Sequence, residues 1–337
     1  MQLLDNYSLE KLNSFKIDVK ARKFVTIKSN EEIIRLQEKG MFGKDRHLIL
    51  GGGSNLLFTS DYDGTVVHMD TRGMEVTHSD DDYVYLRVMA GEEWDDVVGY
   101  CVERGWGGLE NLSLIPGRAG SSPIQNIGAY GAELSDHFHS LEVLDKNTGK
   151  LREMSHEECS FSYRESVFKH KEKDRYIILS VTFRLDKVPR VCTDYLALSD
   201  ELEDMCVSSP SISDVRKAVI SIRRRKLPDP DFLGNAGSFF KNPVISRKRF
   251  IKLREEFPGI KFFEEAGGVK IAAGWLIEKA GWKGRRLGKA GVHRHQALVL
   301  VNHGGATGSE VLRLAEDIRA SILDVFGIEL QTEVNII

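Results

Sequence analysis

Residues 117–131 have the sequence GRAGSSPIQNIGAYG, in which four of the fifteen positions are glycine. Such a composition does not build a hydrophobic core, because glycine brings no side chain to bury. It lets backbone amides approach a large ligand, and the hydroxyl and carboxamide groups beside them suit phosphate oxygens and the polar edge of a heterocycle. A mobile linker is the alternative, but a flexible linker does not normally contain Ile124, Ile127 and Tyr130. The stretch therefore predicts an ordered loop that clasps a ligand.

A second glycine cluster lies upstream, where residues 47–50 (HLIL) predict a short buried strand and residues 51–55 (GGGSN) follow it. A strand that runs into a glycine-rich turn is a common phosphate-binding arrangement. The Rossmann fingerprint fails because Leu56 stands where its third glycine belongs, and the P-loop fails because no Gly-Lys-Ser/Thr follows. Alone, the cluster could be a simple tight turn. Together, the two loops favour one extended ligand, such as a dinucleotide.

The composition of the whole chain excludes several classes of protein. Its 337 residues are enough for two or three domains, and 41% hydrophobic and 29% charged residues are typical of a soluble globular protein. A net charge of -3 gives no reason to expect a nucleic-acid partner. No apolar run reaches the roughly 18 residues that span a bilayer, and the first residues lack a signal-peptide pattern. We expect a cytoplasmic location without membrane insertion.

Neither the cysteines nor the histidines indicate a metal site. The four cysteines are irregularly spaced and form no CxxC, so a structural zinc site and a dithiol redox centre are both disfavoured. His293 and His295 could be a metal pair, but two histidines without a nearby acidic or thiol ligand are usually ordinary residues. We therefore expect no metal.

The pattern of apolar residues predicts an α+β protein. In the first part of the chain it predicts helices at 31–39 and 94–102, strands at 83–90 and 176–185, and a hairpin with arms 141–144 and 151–154. The periodicity is lost over 186–210. Beyond it we expect helices at 214–226, 247–256, 271–280 and 309–326, and strands at 297–301 and 328–336. The last strand should turn Ile328, Leu330, Val334 and Ile336 inward.

Several residues could carry chemistry, and each also has an ordinary explanation. Ser238 could be a helix cap or turn hydroxyl, or a proton donor or nucleophile; the Gly-x-Ser-x-Gly elbow of serine hydrolases is absent. The basic run 223–226 suits the negative end of a helix dipole, or could meet a nucleotide diphosphate. Arg164 could simply pair with Glu165, and Glu333 could lie on the solvated face of the last strand.

Six segments, in this order along the chain, resemble successive motifs of the UDP-N-acetylenolpyruvoylglucosamine reductase family, also called UDP-N-acetylmuramate dehydrogenases. They are GGGSN at 51–55, PGRAGSSPIQNIGAYG at 116–131, FSYRES at 161–166, KLPDP at 226–230, GNAGSFFKNP at 234–243 and VHRHQALV at 292–299. The resemblance extends over nearly the whole length. The Tyr163-Arg164 motif and the loop before it resemble the longer of two family types, in which a tyrosine closes over the substrate.

The resemblance implies an α+β fold with an FAD-binding domain of the vanillyl-alcohol oxidase class, which is not a Rossmann fold, and a smaller α+β C-terminal substrate domain. We expect an FAD-binding region at 1–210, made of two α+β subdomains at about 1–70 and 71–210. The substrate domain would be 211–337, with its final strand returning to the active site. We expect the protein to be a monomer.

The activity that the resemblance implies belongs to peptidoglycan synthesis. NADPH reduces the flavin and leaves, and the enolpyruvyl ether of UDP-N-acetylglucosamine is then reduced to the lactyl ether of UDP-N-acetylmuramate. Hydride addition to the terminal carbon leaves carbanion character beside a carboxylate, which needs cations or hydrogen-bond donors. The implied catalytic residues are Arg164, a permanent charge; Glu333, effective only if protonated or if it orients a donor; and Ser238, the proton donor.

The resemblance also carries over ligand-binding positions. The substrate-binding positions are Tyr195, Lys226, Asn242 and Gln296, and the alignment at Tyr195 requires one inserted residue. The FAD-binding positions come from the two glycine loops. They are Gly51, Gly52, Gly53, Ser54, Asn55, Leu56, Gly117, Ser121, Ser122, Gln125, Asn126, Gly128, Ala129 and Tyr130.

Two other functions remain open at this point. A flavin-dependent oxidase on the same fold would need neither a proton-donating serine nor a basic nucleotide-binding segment, and would react quickly with oxygen. A non-catalytic flavin- or nucleotide-binding module would leave Arg164, Ser238 and Glu333 without a common target.

Overall fold

The computed structural model describes residues 1–43, 46–265 and 267–337. Its α-helices are α1 (Asn30–Glu38), α2 (Trp94–Glu103), α3 (His156–Cys159), α4 (Leu196–Asp204), α5 (Ile212–Lys226), α6 (Arg247–Glu256), α7 (Ala273–Lys279) and α8 (Gly308–Phe326). The strands of the first half are β1 (Leu4–Ser8), β2 (Lys20–Ile27), β3 (His47–Leu50), β4 (Leu56–Leu57), β5 (Tyr62–Met69), β6 (Met74–Ser79), β7 (Tyr83–Met89), β8 (Gly128–Ala129), β9 (Ala132–Glu133), β10 (Phe138–Asp145), β11 (Leu151–Ser155) and β12 (Tyr176–Asp186). Those of the second half are β13 (Gly234–Ser238), β14 (Val244–Ile245), β15 (Phe262–Glu265), β16 (Gly268–Ile271), β17 (Arg286–Leu287), β18 (Ala290–Val292), β19 (Val299–Asn302) and β20 (Asn335–Ile336).

The chain forms two compact units whose segments alternate along the sequence. The first consists of Met1–Tyr7, Ala21–Gly52 and Asp63–Arg225, and the second of Ser8–Lys20, Gly53–Tyr62 and Lys226–Ile337. The division differs from a single boundary near 210, because two early segments pack with the C-terminal part. Their backbones are joined there, with Ser14 N–H donating to Gly53 O at 3.1 Å and Asn235 N–H donating to Ser14 O at 2.9 Å.

A five-stranded sheet with the order β11-β10-β12-β7-β6 forms the centre of the first unit. The predicted hairpin is confirmed, since β10 and β11 pair antiparallel, and β12 lies between β10 and β7. Helix α2 buries Trp94, Val97, Val98 and Cys101 against this sheet, as its apolar spacing predicts. A second sheet has the order β1-β2-β5-β3, in which β3 and β5 run parallel.

The second unit contains two small sheets, with the orders β13-β19-β18-β17 and β14-β16-β15. Helix α8 packs on β18 and β19, and its buried residues recur at the spacing of one helical face. A capping box between Thr307 and Glu310 begins this helix, and Gly327 with φ +62° ends it. Among the described residues, no helix combines the length and the apolar character that crossing a membrane would need.

The predicted C-terminal strand at 328–336 is wrong in its extent. Only Asn335–Ile336 is a strand, and it pairs parallel with β4. The preceding residues make their backbone contacts elsewhere: Lys241 N–H donates to Gln331 O, and Glu333 N–H donates to Phe239 O. Because the backbone changes its hydrogen-bonding partner along this segment, no continuous strand ladder forms. The inward positions of Ile328, Leu330 and Val334 are confirmed, whereas Ile336 is exposed.

Candidate active site

The start of the first glycine loop, Gly51 and Gly52, lies against the second glycine loop in the first unit. A Cβ atom on Gly52 would be 3.1 Å from Gly117 Cα, and one on Gly51 would be 3.4 Å from Arg118 Cβ. A Cβ on Gly52 would thus fit only if Gly117 shifted slightly, whereas one on Gly51 would make an ordinary contact. This arrangement leaves a surface of bare peptide groups of the kind that a dinucleotide needs, although the sequence alone could not show that the loops meet.

The loop that begins at Gly117 is docked on the end of β7. Gly120 N–H donates to Ala90 O at 2.9 Å, and Ala119 N–H donates to Glu92 O at 2.8 Å. A Cβ on Gly120 would lie 2.5 Å from Ala90 Cβ, so no other residue fits without displacement. Residues 117–131 are thus held to a sheet as an ordered loop, as their composition predicts.

Arg118 ties the same loop to its surroundings, a role that the sequence did not reveal. Its Nη1 lies 2.8 Å from Asp70 Oδ1 and its Nε lies 2.9 Å from Glu93 Oε1. The Arg118 side chain is 11% exposed, whereas its partners Asp70 and Glu93 remain partly exposed to water. An arginine between glycines was the available signal, because such a residue must find anionic partners once the loop packs down.

Polar side chains of this loop already hold its own backbone. Ser121 Oγ donates to Arg118 O at 2.8 Å and Ser122 Oγ donates to Ala119 O at 2.6 Å. Asn126 is fully buried; its Nδ2 donates to Glu133 Oε2 at 2.7 Å and its Oδ1 accepts from Ser135 N–H at 3.0 Å. These contacts make Asn126 a residue that shapes the loop from inside.

The side chain of Arg164 lies on the backbone of the glycine-rich loop at 117–131. Its Nη2 donates to Gly128 O at 2.5 Å and its Nη1 to Asn126 O at 3.4 Å. A Cβ on Gly128 would lie 2.9 Å from Arg164 Nη1, so the glycine makes room for the guanidinium. Arg164 has φ +57°, a left-handed conformation that arginine rarely adopts. The structure therefore places one predicted catalytic residue on the predicted cofactor loop.

Tyr195 lies beside the same loop, even though its alignment needed an insertion. Its ring makes an edge-on contact with Tyr130, with 5.5 Å between centroids. A Cβ on Gly131 would lie 3.8 Å from Tyr195 Cβ. Asn111, which the sequence analysis missed, joins the two segments by donating from Nδ2 to Tyr130 O at 2.8 Å and Cys192 O at 2.9 Å.

In the second unit, Ser238 ends β13 after an irregularity in the pairing with β19. The register shifts between Asn235 and Ser238, and Gly237 at φ +67° makes this possible. The next two residues anchor the segment, because Phe239 and Phe240 are fully buried. The half-buried Ser238 hydroxyl therefore sits on a rigid support, which favours a defined direction for its side chain.

Glu333 runs alongside the Ser238 segment. Its N–H donates to Phe239 O at 2.8 Å, and an isolated bridge joins Phe240 to Thr332. Asn55 Nδ2 donates to Glu333 O at 3.3 Å, so part of the first glycine cluster reaches the same place. Glu333 is half-buried, and the simple interpretation as a solvated strand residue does not hold.

Two of the predicted cofactor positions have strong packing reasons for their identity. A Cβ on Gly53 would lie 2.0 Å from Leu12 O, which excludes any side chain. Leu56 is 8% exposed and pairs with Asn335. Gly53, Ser54, Asn55 and Leu56 belong to the second unit, whereas Gly51 and Gly52 belong to the first.

Asn242 and Gln296 converge at the start of α7. Asn242 Oδ1 accepts from Ala273 N–H at 2.9 Å, and a Cβ on Gly274 would lie 3.3 Å from Gln296 Oε1. The two amide side chains thus share a neighbourhood, as candidate ligands for one substrate should. Lys226, the last residue of α5, is exposed.

The remaining cations and histidines have more ordinary surroundings. Arg223 Nε donates to Leu114 O at 3.2 Å and Arg225 pairs with Glu201 at 2.5 Å, so both contact protein groups. The His293 and His295 rings are 5.6 Å apart, and burial lowers the pKa of His293. Within residues 1–43, 46–265 and 267–337, no three histidine, cysteine or acidic side chains are grouped as metal ligands.

Comparison with known proteins gives a consistent result along the chain. Residues 21–155 match the family model described as an FAD binding domain, and residues 229–337 match that of the UDP-N-acetylenolpyruvoylglucosamine reductase C-terminal domain. The crystal structure of the UDP-N-acetylenolpyruvylglucosamine reductase from Thermus caldophilus is similar in fold, with a TM-score of 0.70 and 22% identity over 99% of this chain and 98% of that one. The predicted α+β fold with an FAD-binding domain and a C-terminal domain is confirmed.

Three reductases of this name are similar over their full length. The one from Flavobacterium johnsoniae is 45% identical over 339 residues, which is 100% of both chains. The one from Amoebophilus asiaticus is 47% identical over 338 residues, again 100% of both. The one from Pseudomonas aeruginosa is 46% identical over 340 residues, covering 100% of this chain and 99% of the other.

Proposed function

Because this chain belongs to the UDP-N-acetylenolpyruvoylglucosamine reductase family, we propose that it reduces the enolpyruvyl ether of UDP-N-acetylglucosamine to UDP-N-acetylmuramate, with bound FAD and with NADPH as reductant. The product serves peptidoglycan synthesis. The observation that carries the proposal is the guanidinium of Arg164 resting on the carbonyls of the glycine-rich loop, where a carboxylate substrate can meet a fixed positive charge.

The residues of the first unit fit an FAD molecule. Gly51, Gly52 and Gly117 present backbone without side chains, and the hydroxyls of Ser121 and Ser122 keep lone pairs that can accept hydrogen bonds. A Cβ at Gly52 would press on Gly117, so glycine at this position lets the two loops meet. When bound, FAD supplies hydride chemistry between NADPH and the substrate. We assign FAD binding mainly to the first unit and substrate binding mainly to the second.

Arg164 would stabilise the negative charge that develops when hydride adds to the terminal carbon of the enolpyruvyl group. That charge is shared with the adjacent carboxylate, so a planar guanidinium with several donors is well matched to it. Its fixed position on Gly128 O means that little reorganisation is needed during the reaction.

Ser238 would give its hydroxyl proton to the carbon beside the carboxylate, which completes the addition of one hydride and one proton across the double bond. A serine hydroxyl is a weak acid, but the carbanion it meets is strongly basic. Glu333 would orient a donor, or donate a proton itself when protonated. Its backbone link to Phe239 keeps it next to the Ser238 segment.

Lys226, Asn242 and Gln296 would bind the sugar nucleotide in the second unit, with Lys226 on the diphosphate. Tyr195, which contacts Tyr130, would be a further substrate-binding residue. The remaining part of the proposal is that the protein acts as a cytoplasmic monomer.

Spectroscopy of the purified protein tests the function. The flavin should absorb near roughly 450 nm, lose this absorption when NADPH is added without oxygen, and regain it when the enolpyruvyl sugar nucleotide follows. Recovery with oxygen but not with the sugar nucleotide would instead indicate a flavin oxidase. A protein without flavin absorption would contradict both.

Gly120→Ala is expected to weaken flavin binding by about tenfold or more, because the added methyl group collides with Ala90 and displaces the loop from β7. The dissociation constant can be measured by titrating the flavin-free protein with FAD. Gly259→Ala is the matched control, since nothing lies within 4 Å of its added Cβ. Equal affinity of the two variants would contradict the proposed cradle.

A further inference from the structure

The segment just before the glycine-rich loop is held by side chains from two helices of the first unit. Leu114 has φ +58°, a left-handed conformation that is unusual for leucine. Its N–H donates to Asp95 Oδ1 at 2.5 Å, and its carbonyl accepts from Arg223 Nε at 3.2 Å. Both polar groups of this residue are therefore fixed, one by α2 and the other by α5.

Asp95 is itself held from α5. Arg216 Nη1 lies 2.7 Å from Asp95 Oδ1 and its Nη2 lies 3.0 Å from Oδ2, which is a bidentate pair. Burial by itself raises the pKa of Asp95, but the hydrogen bonds from Arg216 and Leu114 outweigh it and leave this pKa below its usual value. Arg216 and Arg223 are seven residues apart and lie on one face of α5.

Arg223 also acts on Tyr130 at the far end of the glycine-rich loop: burial raises the pKa of the Tyr130 hydroxyl, and the nearby positive charge of Arg223 opposes this rise. Tyr130, like Leu114, has a positive φ, of +49°. Between these two residues lie the carbonyls of Asn126 and Gly128, on which Arg164 rests. One side chain thus donates a hydrogen bond to one end of the segment that supports Arg164 and interacts electrostatically with the other end.

We propose that Arg223 is a positioning residue for the reduction: by donating to the Leu114 carbonyl and placing its charge near Tyr130, it fixes the 114–130 segment and thereby the guanidinium of Arg164. This role differs from the two that the basic run 223–226 suggested, a helix-dipole cation and a diphosphate ligand. The kinetic part of the inference, which is the effect of Arg223 on the reduction, rests on the proposed function. The structural part concerns the loop alone and can be tested separately.

Hydrogen–deuterium exchange of the FAD-loaded protein tests the structural part. Arg223→Gln removes the charge and the fork, and should make peptides covering 111–131 exchange about tenfold faster. Arg223→Lys, which keeps the charge and one donor, should give an intermediate rate. Lys217→Gln removes an equal charge from an exposed position of the same helix and should leave these peptides unchanged.

Stopped-flow kinetics test the effect on Arg164. With Arg223→Gln, oxidation of the NADPH-reduced flavin by the enolpyruvyl sugar nucleotide should slow by about tenfold or more, whereas Lys217→Gln should match the unchanged protein. Combining Arg223→Gln with Arg164→Gln should cost less than the product of the two single effects, because both act through one guanidinium.

The inference is overturned if Arg223→Gln leaves exchange at 111–131 unchanged. It is also overturned if exchange becomes faster but the flavin oxidation rate of Arg223→Gln equals that of Lys217→Gln, or if the two single effects multiply fully in the double variant. If Arg223→Gln does not fold, Arg223→Lys must show both changes to a smaller degree, since it keeps the charge but loses the guanidinium that donates to Leu114 O; failure to do so also overturns the inference. If the unchanged protein shows no recovery with the sugar nucleotide, the proposed function fails, and the exchange result alone decides whether Arg223 fixes the loop.

Discussion

Ser238→Ala is expected to slow reduction of the enolpyruvyl substrate by about 10²- to 10⁴-fold, the usual contribution of a positioned proton donor. The rate at which NADPH reduces the flavin should stay within about twofold, because that step uses no proton from position 238. Rapid mixing under anaerobic conditions separates the two half-reactions. The substitution should leave the fold intact, because the buried Phe239 and Phe240 anchor the segment.

Ser309→Ala provides the control, because it removes an exposed hydroxyl from the same unit. It should leave both half-reactions as they are. Equal loss of both half-reactions in Ser238→Ala would argue against a proton donor, since only one of them needs the proton. Deuterated solvent gives a second check. The second half-reaction should show a solvent isotope effect when Ser238 is present, and Ser238→Ala should lose it.

Arg164→Gln is expected to slow the same half-reaction by about 10²- to 10³-fold, because the charge that faces the developing enolate is lost. Arg164→Lys should recover only part of this rate. A lysine keeps the charge but cannot contact the Asn126 and Gly128 carbonyls and the substrate with one planar group. Single-turnover rates with saturating sugar nucleotide measure the effect.

Lys173→Gln, an exposed charge change in the same unit, is the control for Arg164. It should retain the full rate. Arg164→Gln could instead raise only the concentration of sugar nucleotide needed for half the maximal rate. The residue would then contribute equally to binding in the ground state and in the transition state. A role in stabilising the enolate would then be excluded.

The sequence predicted elements well where a single face of a helix or strand is buried. Helix α2 and strand β7 follow directly from their apolar spacing, and the helix packs on the five-stranded sheet to which the strand belongs. It failed for residues 328–336, because alternation of apolar side chains predicts which side is buried but not which backbone is available for pairing. Residues 331–333 bond with 239–241 and residues 335–337 with 55–57, and no local pattern announces that change.

The candidate site was predictable in its residues but not in its geometry. The glycine loop at 117–131 could be identified from composition, yet its docking on Ala90 depends on a contact between distant segments. The interpretation of Glu333 as a solvated residue overlooked the same kind of contact, with Phe239 and Asn55. Arg118 and Asn111 were missed because their partners become neighbours only after folding.

The alternation of the two units along the chain limits how this gene can be cut. A fragment that begins at Lys226 lacks residues 8–20 and 53–62, which contribute the fully buried Leu9, Phe15, Leu57 and Phe58 to the second unit. Such a fragment would expose a large apolar gap and would tend to aggregate. During translation, those early segments must also wait for the last third of the polypeptide to emerge from the ribosome. Exchange of this unit between homologous genes therefore requires three grafts rather than a single crossover.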